Sequence, residues 1–135
     1  MQKQLLDILH IEHPLVHAPM TGTATTDMAV AVSENGGLGS LGCAPWGPET
    51  LHDKIVEMQQ RTTKPFNVNF FAHRTPTHDS DSDWLAALAP HYEALSISLP
   101  DALGAGPIQA FSEDHCDIIE ATRPPVVSFH FGLPD

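Results

Sequence analysis

Short apolar runs alternate with longer amphipathic segments along the chain. The apolar runs have the length of strands and cover residues 15–19, 38–41, 66–71 and 125–129, and the first of them is predicted to be a buried strand. The third run alternates, with Phe66, Val68 and Phe70 on one face and Asn67, Asn69 and Phe71 on the other. Strands that alternate with helical segments predict an α/β fold with a parallel sheet. This pattern alone allows an open flavodoxin-like sheet as well as part of a barrel.

The segments between the strands carry apolar residues at helical spacing. They predict helices over residues 27–35, from 48 to about 61–64, over 84–95 despite Pro90, and from 113 to about 123. Thr25 or Thr26 is expected to cap the first of these helices and Ser112 the last. Residues 72–82 and 96–111 are predicted loops.

Three of the amphipathic segments carry a recognisable apolar stripe, and in the helix over 84–95 it consists of Trp84, Leu85, Leu88, Tyr92 and Leu95. Buried positions are predicted at Leu51, Ile55 and Met58 in the second helix and at Ile118 and Ile119 in the last. The first ten residues form a shorter amphipathic turn, which in a barrel would cover the bottom.

A tight loop follows the first predicted strand. Pro19 ends that strand, because proline cannot donate to a sheet ladder. Met20, Thr21 and Gly22 come next, and Gly22 permits a sharp turn or the close approach of a flat ligand. From the residues alone, this is equally an ordinary turn between a strand and a helix.

Four separated motifs resemble the nitronate monooxygenases, flavin enzymes formerly called 2-nitropropane dioxygenases. They are Ala-Pro-Met-Thr-Gly at 18–22, Ala-Val-Ser-Glu-Asn-Gly-Gly-Leu-Gly at 31–39, Lys-Pro-Phe-Asn-Val-Asn-Phe at 64–70 and Pro-Val-Val-Ser-Phe-His-Phe-Gly at 125–132. The resemblance implies a parallel (β/α)8 barrel of the TIM-barrel type. Residues 1–135 would be the N-terminal half of that single FMN-binding domain, an incomplete barrel of about four βα units.

The resemblance also implies roles for particular residues. Met20, Thr21 and Gly22 would pack against the ring of FMN, and Asn69 would hydrogen-bond it. His130 would face the substrate. The simpler structural alternatives are a turn for the loop, a polar strand end for Asn69 and a loop-positioning role for His130. The family's catalytic histidine is expected beyond this chain, so no catalytic residue is assigned within it.

The activity implied is the oxidation of alkyl nitronates, or nitroalkanes, with O2 to carbonyl compounds and nitrite. One alternative is an NAD(P)H-dependent, FMN-containing barrel like the enoyl-reductases, which share the Ala-Pro-Met and Gly-Gly-Leu-Gly motifs. Another is a truncated, inactive half-barrel that acts only with a partner chain. Half a barrel has two open edges, which favours a homo-oligomer or a partner half-barrel.

The net charge limits the classes of binding partner that are expected, and the cysteines and the N-terminus bear on the cellular compartment. The chain has six basic and seventeen acidic residues and a net charge of −11, so nucleic acid and anionic membranes are not expected partners. Cys43 and Cys116 are predicted free thiols, and the absence of a secretion signal predicts a cytoplasmic protein.

The histidine pairs 10/13 and 73/78 lack a third ligand, so no metal is expected. The G-x-G-x-x-G match at 37–42 is weak because it does not open a helix.

Overall fold

The computed structural model describes residues 2–74, 81–101 and 108–134. The elements in chain order are α1 (Gln2–Leu9), α2 (Thr26–Glu34), β1 (Gly39–Gly42), α3 (Pro48–Arg61), β2 (Phe66–Phe71), α4 (Ser82–Ala94), α5 (Glu113–Thr122) and β3 (Val126–His130). The strands form a parallel sheet in the order β1-β2-β3. The predicted α/β class with parallel strands is confirmed, whereas closure into a barrel stays a prediction.

The core lies on one face of this sheet. Phe66, Val68 and Phe70 of β2 point into it, as their alternation predicted. The predicted stripe of α3 meets them there, since Leu51, Ile55 and Met58 are fully buried. From α5, the predicted Ile118 and Ile119 are only half-buried, although both pack against this core.

Capping residues begin two helices as the sequence predicted. The Thr25 hydroxyl accepts a hydrogen bond of 3.2 Å from the amide of Met28 at the start of α2. At the start of α5, Ser112 and His115 form a reciprocal capping box. His115 takes the position where glutamate is usual, and its ring is buried.

The first predicted strand is a single bridge, and the prediction of a buried strand there is wrong. Val16 pairs with Leu38 alone, through hydrogen bonds of 2.9 Å on either side of it. Leu15 and Val16 are 52% and 55% exposed. Among the described residues, only one strand partner lies beside this segment, so its apolar side chains are not covered.

The chain divides into two compact units, residues Met1–His73 with Ile108–Asp135, and residues Arg74–Pro107. The described part of the second unit contains α4, which confirms the predicted helix with Pro90 inside it. None of the residues of α4 is buried. Residues 75–80 and 102–107 of the predicted loops lie outside the described residues. Among the helices that are described, none is both long and apolar enough to cross a membrane.

Leu51→Ala is expected to lower the free energy of unfolding by about 2–5 kcal/mol, because it leaves a cavity in the core. Leu95→Ala makes the same chemical change at a side chain that is 70% exposed. That control should change the stability by no more than about 0.5 kcal/mol. Urea unfolding of both variants measures the difference, and equal losses would contradict the assignment of the core.

Candidate functional site

The face of the sheet opposite the core carries polar side chains. Gly42, Asn69 and Ser128 occupy paired positions on β1, β2 and β3. They lie near the carboxyl ends of the strands, where the active sites of parallel α/β proteins are built. Because side chains alternate along a strand, the apolar residues that fill the core leave this face to polar residues.

Asn69 is the centre of the polar face. It is 3% exposed, so both ends of its amide need partners within the protein. Its Nδ2 donates to Oγ of Ser128 at 2.8 Å. Its Oδ1 lies 3.2 Å from Nδ1 of His130, the last residue of β3. The structure thus brings together two of the five predicted site residues, Asn69 and His130.

A second polar cluster lies one layer below, nearer the amino ends of the strands. Asn67 Nδ2 donates to Oγ of Ser40 at 3.2 Å, and the Ser40 amide donates to Nδ1 of His17 at 3.3 Å. Two solvent-shielded atoms, Nε2 of His17 and Oδ1 of Asn67, have no hydrogen-bond partner within the described part of the chain. In this layer of the face, two buried polar atoms therefore lack a hydrogen bond within that part.

The loop after the first bridge lies against the end of β1. A Cβ atom on Gly42 would lie 2.6 Å from the Pro19 carbonyl oxygen and 2.9 Å from Oγ1 of Thr21. Only glycine permits this close approach. Since Gly42 is paired with Asn69, the loop lies at the same end of the sheet as the Asn69–His130 pair.

The loop of Met20, Thr21 and Gly22 is a closed turn with open space on one side. The Met20 carbonyl accepts from the amides of Thr23 and Ala24, which closes the turn. Gly22 has a φ of +78°, and a Cβ atom there would meet nothing within 4 Å. Among the described residues, the amides of Thr21 and Gly22 have no backbone acceptor. These two amides and the open space leave room for a ligand, and the role of the loop toward a flavin stays a prediction.

An apolar hollow of about 360 Å³ adjoins the carboxyl ends of β2 and β3. It is lined by Phe71, His73, Ile108 and Phe131. The ring of His130 lies 5.8 Å from that of Phe71 and 6.0 Å from that of Phe131, measured between centroids. His130 therefore stands between the polar face and an apolar surface. The sequence pattern did not indicate this hollow, because Ile108 comes from a predicted loop.

Ionisable groups with shifted pKa values lie outside the Asn69–His130 pair. Burial raises the pKa of Cys43, just after β1, to about 12. On α3, the hydrogen bond from Lys54 lowers the pKa of Glu57, with a further contribution from Arg61. Arg61 also pairs with Asp27 of α2 at 2.6 Å, so these charges join two helices.

Among the described residues, no three His, Cys, Asp or Glu side chains form a metal-binding group, and His78 lies outside that part.

The predicted site residues fall into two groups. Asn69 and His130 are in contact, whereas Met20, Thr21 and Gly22 form an exposed loop that reaches the site through Gly42. Their roles toward a flavin and a substrate stay predictions. Ser128 was missed as a site residue, although it stands two residues before His130 and so on the same face of its strand.

The weak G-x-G-x-x-G match lies in a strand, as its position indicated. A Cβ atom on Gly39 would lie 2.0 Å from the carbonyl oxygen of Ala29. This glycine allows α2 to pack closely on β1, so it has a packing role.

Comparison with known proteins gives one consistent family. The family model described as nitronate monooxygenase matches residues 2–135. A nitronate monooxygenase of Paraburkholderia phytofirmans is 38% identical over 137 residues, covering 98% of this chain and 37% of the relative. That of Pseudomonas aeruginosa is 37% identical over 131 residues, covering 94% and 37%. The chain thus spans little more than a third of the length of these relatives.

Two solved structures are similar to nearly the whole chain. A nitroalkane oxidase from Streptomyces ansochromogenes matches with a TM-score of 0.76 and 30% identity, covering 97% of this chain and 37% of that one. FabK from Thermotoga maritima matches with a TM-score of 0.63 and 29% identity, covering 96% and 30%.

Cys43 is expected to react much more slowly than Cys116 with a thiol reagent such as DTNB at about pH 8. The thiolate is the reactive form, and burial disfavours it at Cys43, whereas Cys116 is exposed. One thiol should therefore react rapidly, and the second only on unfolding. In Cys116→Ser, the rapid phase should disappear. A rapid phase that persists in this variant would show that Cys43 is accessible.

Proposed function

The chain belongs to the nitronate monooxygenase family, and we propose that it provides the FMN-binding and substrate-facing part of a nitronate-oxidising site. The observation that carries the proposal is the contact between Asn69 and His130, beside a glycine-dependent loop and an apolar hollow. Polar groups that converge next to an apolar surface are typical of small-molecule sites.

The loop of Met20, Thr21 and Gly22 would hold the flavin ring. Its open side and its available amides support this role. Asn69 lies at the same end of the sheet and would face the ring with the remaining hydrogen-bonding capacity of its amide. When bound, FMN supplies the electron acceptance that the oxidation of a nitronate by O2 requires.

His130 and the hollow would bind the two ends of the substrate. A nitronate has an anionic nitrogen group and an alkyl chain. Once it carries a second proton, the exposed imidazole of His130 can donate a hydrogen bond to the anionic end, and the surface formed by Phe71 and Phe131 suits the alkyl end. Alkyl nitronates are therefore the proposed substrate class, with O2 as the second substrate.

The remainder of the site would come from outside this half-barrel. The exposed Leu15 and Val16 mark one edge of the sheet, and β3 pairs only with β2 among the described residues. Two open edges suit closure into an eight-stranded barrel by a partner half-barrel or a second copy. The catalytic histidine of the family would be supplied by that other half.

FMN titration of the 135-residue chain, followed by flavin fluorescence with the oligomeric state measured in parallel, tests the proposal. We expect saturable binding that Gly42→Ala weakens by about tenfold or more, equivalent to ~1.4 kcal/mol, because the new methyl group displaces the loop. Gly47→Ala is the matched control, since a Cβ atom there meets nothing within 4 Å. Absence of binding by the unchanged chain would contradict an FMN site formed by this chain alone.

Measurements of enzymatic turnover distinguish nitronate oxidation from the alternative, an enoyl-reductase activity. Consumption of O2 with an alkyl nitronate, without NADPH, would support nitronate oxidation. Flavin binding accompanied by NADPH oxidation with an enoyl substrate would instead favour an enoyl-reductase-like enzyme. Flavin binding without either activity would indicate a half-barrel that needs its partner chain.

A further inference from the structure

The amide of Asn69 contacts two side chains of β3, and each end of the amide serves a different one. We infer that Asn69 is a positioning residue, which together with Ser128 holds neutral His130 in the tautomer that carries its proton on Nδ1. The role of the free Nε2 toward a substrate rests on the proposed function, whereas the tautomer itself does not.

The Ser128 contact sets the direction of the amide. The nitrogen of a side-chain amide can only donate, and Nδ2 of Asn69 donates to Oγ of Ser128 at 2.8 Å. Asn69 and Ser128 are directly paired in the register of β2 and β3, so the strand pairing itself maintains this contact. With Nδ2 on Ser128, the opposite atom, Oδ1, is directed at His130.

The direction of the amide then determines the tautomer. Oδ1 can only accept a hydrogen bond, so Nδ1 of His130, 3.2 Å away, must carry the hydrogen. In the neutral ring, Nε2 is left as the acceptor. Because Asn69 is almost fully buried, water does not readily replace it as the partner of Nδ1.

Two aromatic side chains lie beside the ring of His130. The rings that face it are those of Phe71 and Phe131. The backbone of Asn69 is held in place from the side of β1, because the backbone carbonyl of Asn69 accepts a hydrogen bond from the Cys43 amide at 2.9 Å. The hydrogen bond that His130 donates to Asn69 is thus the specific polar contact that orients the ring.

Two other histidines are held in the opposite tautomer. The Ser112 amide donates to Nδ1 of His115 at 3.2 Å, and Nε2 of His115 donates to the Trp46 carbonyl at 3.1 Å. Nδ1 of His17 accepts from a backbone amide in the same way. In both rings, the hydrogen must therefore lie on Nε2, which makes them internal references for His130.

The tautomer decides what His130 can do in the proposed site. Neutral His130 presents a lone pair at Nε2, so it can accept a proton or a hydrogen bond there. It donates from Nε2 to an oxygen of a nitronate only after the ring has gained a second proton. Asn69 would therefore affect the substrate through His130, in addition to any direct contact with the flavin.

Two-bond 1H–15N correlation spectra of the chain, labelled with 15N-histidine and recorded without FMN at a pH where His130 is neutral, test the inference. We expect the nitrogen without hydrogen to be Nε2 in His130 and Nδ1 in His115 and His17. The opposite pattern at His130 would overturn the inference. Failure of FMN to bind would contradict the proposed function and leave this result unaffected.

Variants identify the cause of the tautomer. Ser128→Ala and Asn69→Ala should each shift His130 toward the tautomer with its hydrogen on Nε2, while His115 is unchanged. Ser40→Ala is the matched control, because Ser40 lies one layer below on the same face and accepts from Asn67 in the same way. An unchanged His130 in both test variants, or an equal shift in the control, would contradict a positioning role.

Discussion

The two-faced character of β2 is the constraint on which the rest of the structure depends. Three of its side chains, Phe66, Val68 and Phe70, fill the core, and the intervening Asn67 and Asn69 are thereby directed to the opposite face. A shift of one residue would exchange the two sets, bringing two amides into the apolar core. The same burial that stabilises the fold therefore positions the polar residues of the site.

Strand pairing brings the residues on the polar face of the three strands next to one another. Parallel register places Gly42 and Ser128 on either side of Asn69. Gly42 admits the loop that carries Thr21, and Ser128 fixes the amide that meets His130. The site is thus assembled from residues far apart in the chain, each of which needs little more than the correct position on its strand.

The pattern of apolar and polar residues along the sequence predicted much of this arrangement. The predictions that were wrong or incomplete have physical causes. The bounds of β2 and the buried stripe of α3 depend on alternation and helical spacing, which a sequence displays directly. The burial expected for Leu15 and Val16 depends on neighbours that no local pattern specifies, and they are exposed. The contact of Asn69 with Ser128 depends on register between two strands, so the motif showed both residues but not their pairing.

Two buried polar atoms beneath the site have no hydrogen-bond partner in the described part of the chain, and this has an energetic cost. The Nε2 hydrogen of His17 lacks an acceptor and Oδ1 of Asn67 lacks a donor within the described residues, and each such group costs about 1–3 kcal/mol. A polar surface that supplied both would recover that energy only in the folded chain. By mass action, the stability of the chain would then rise with the concentration of that partner.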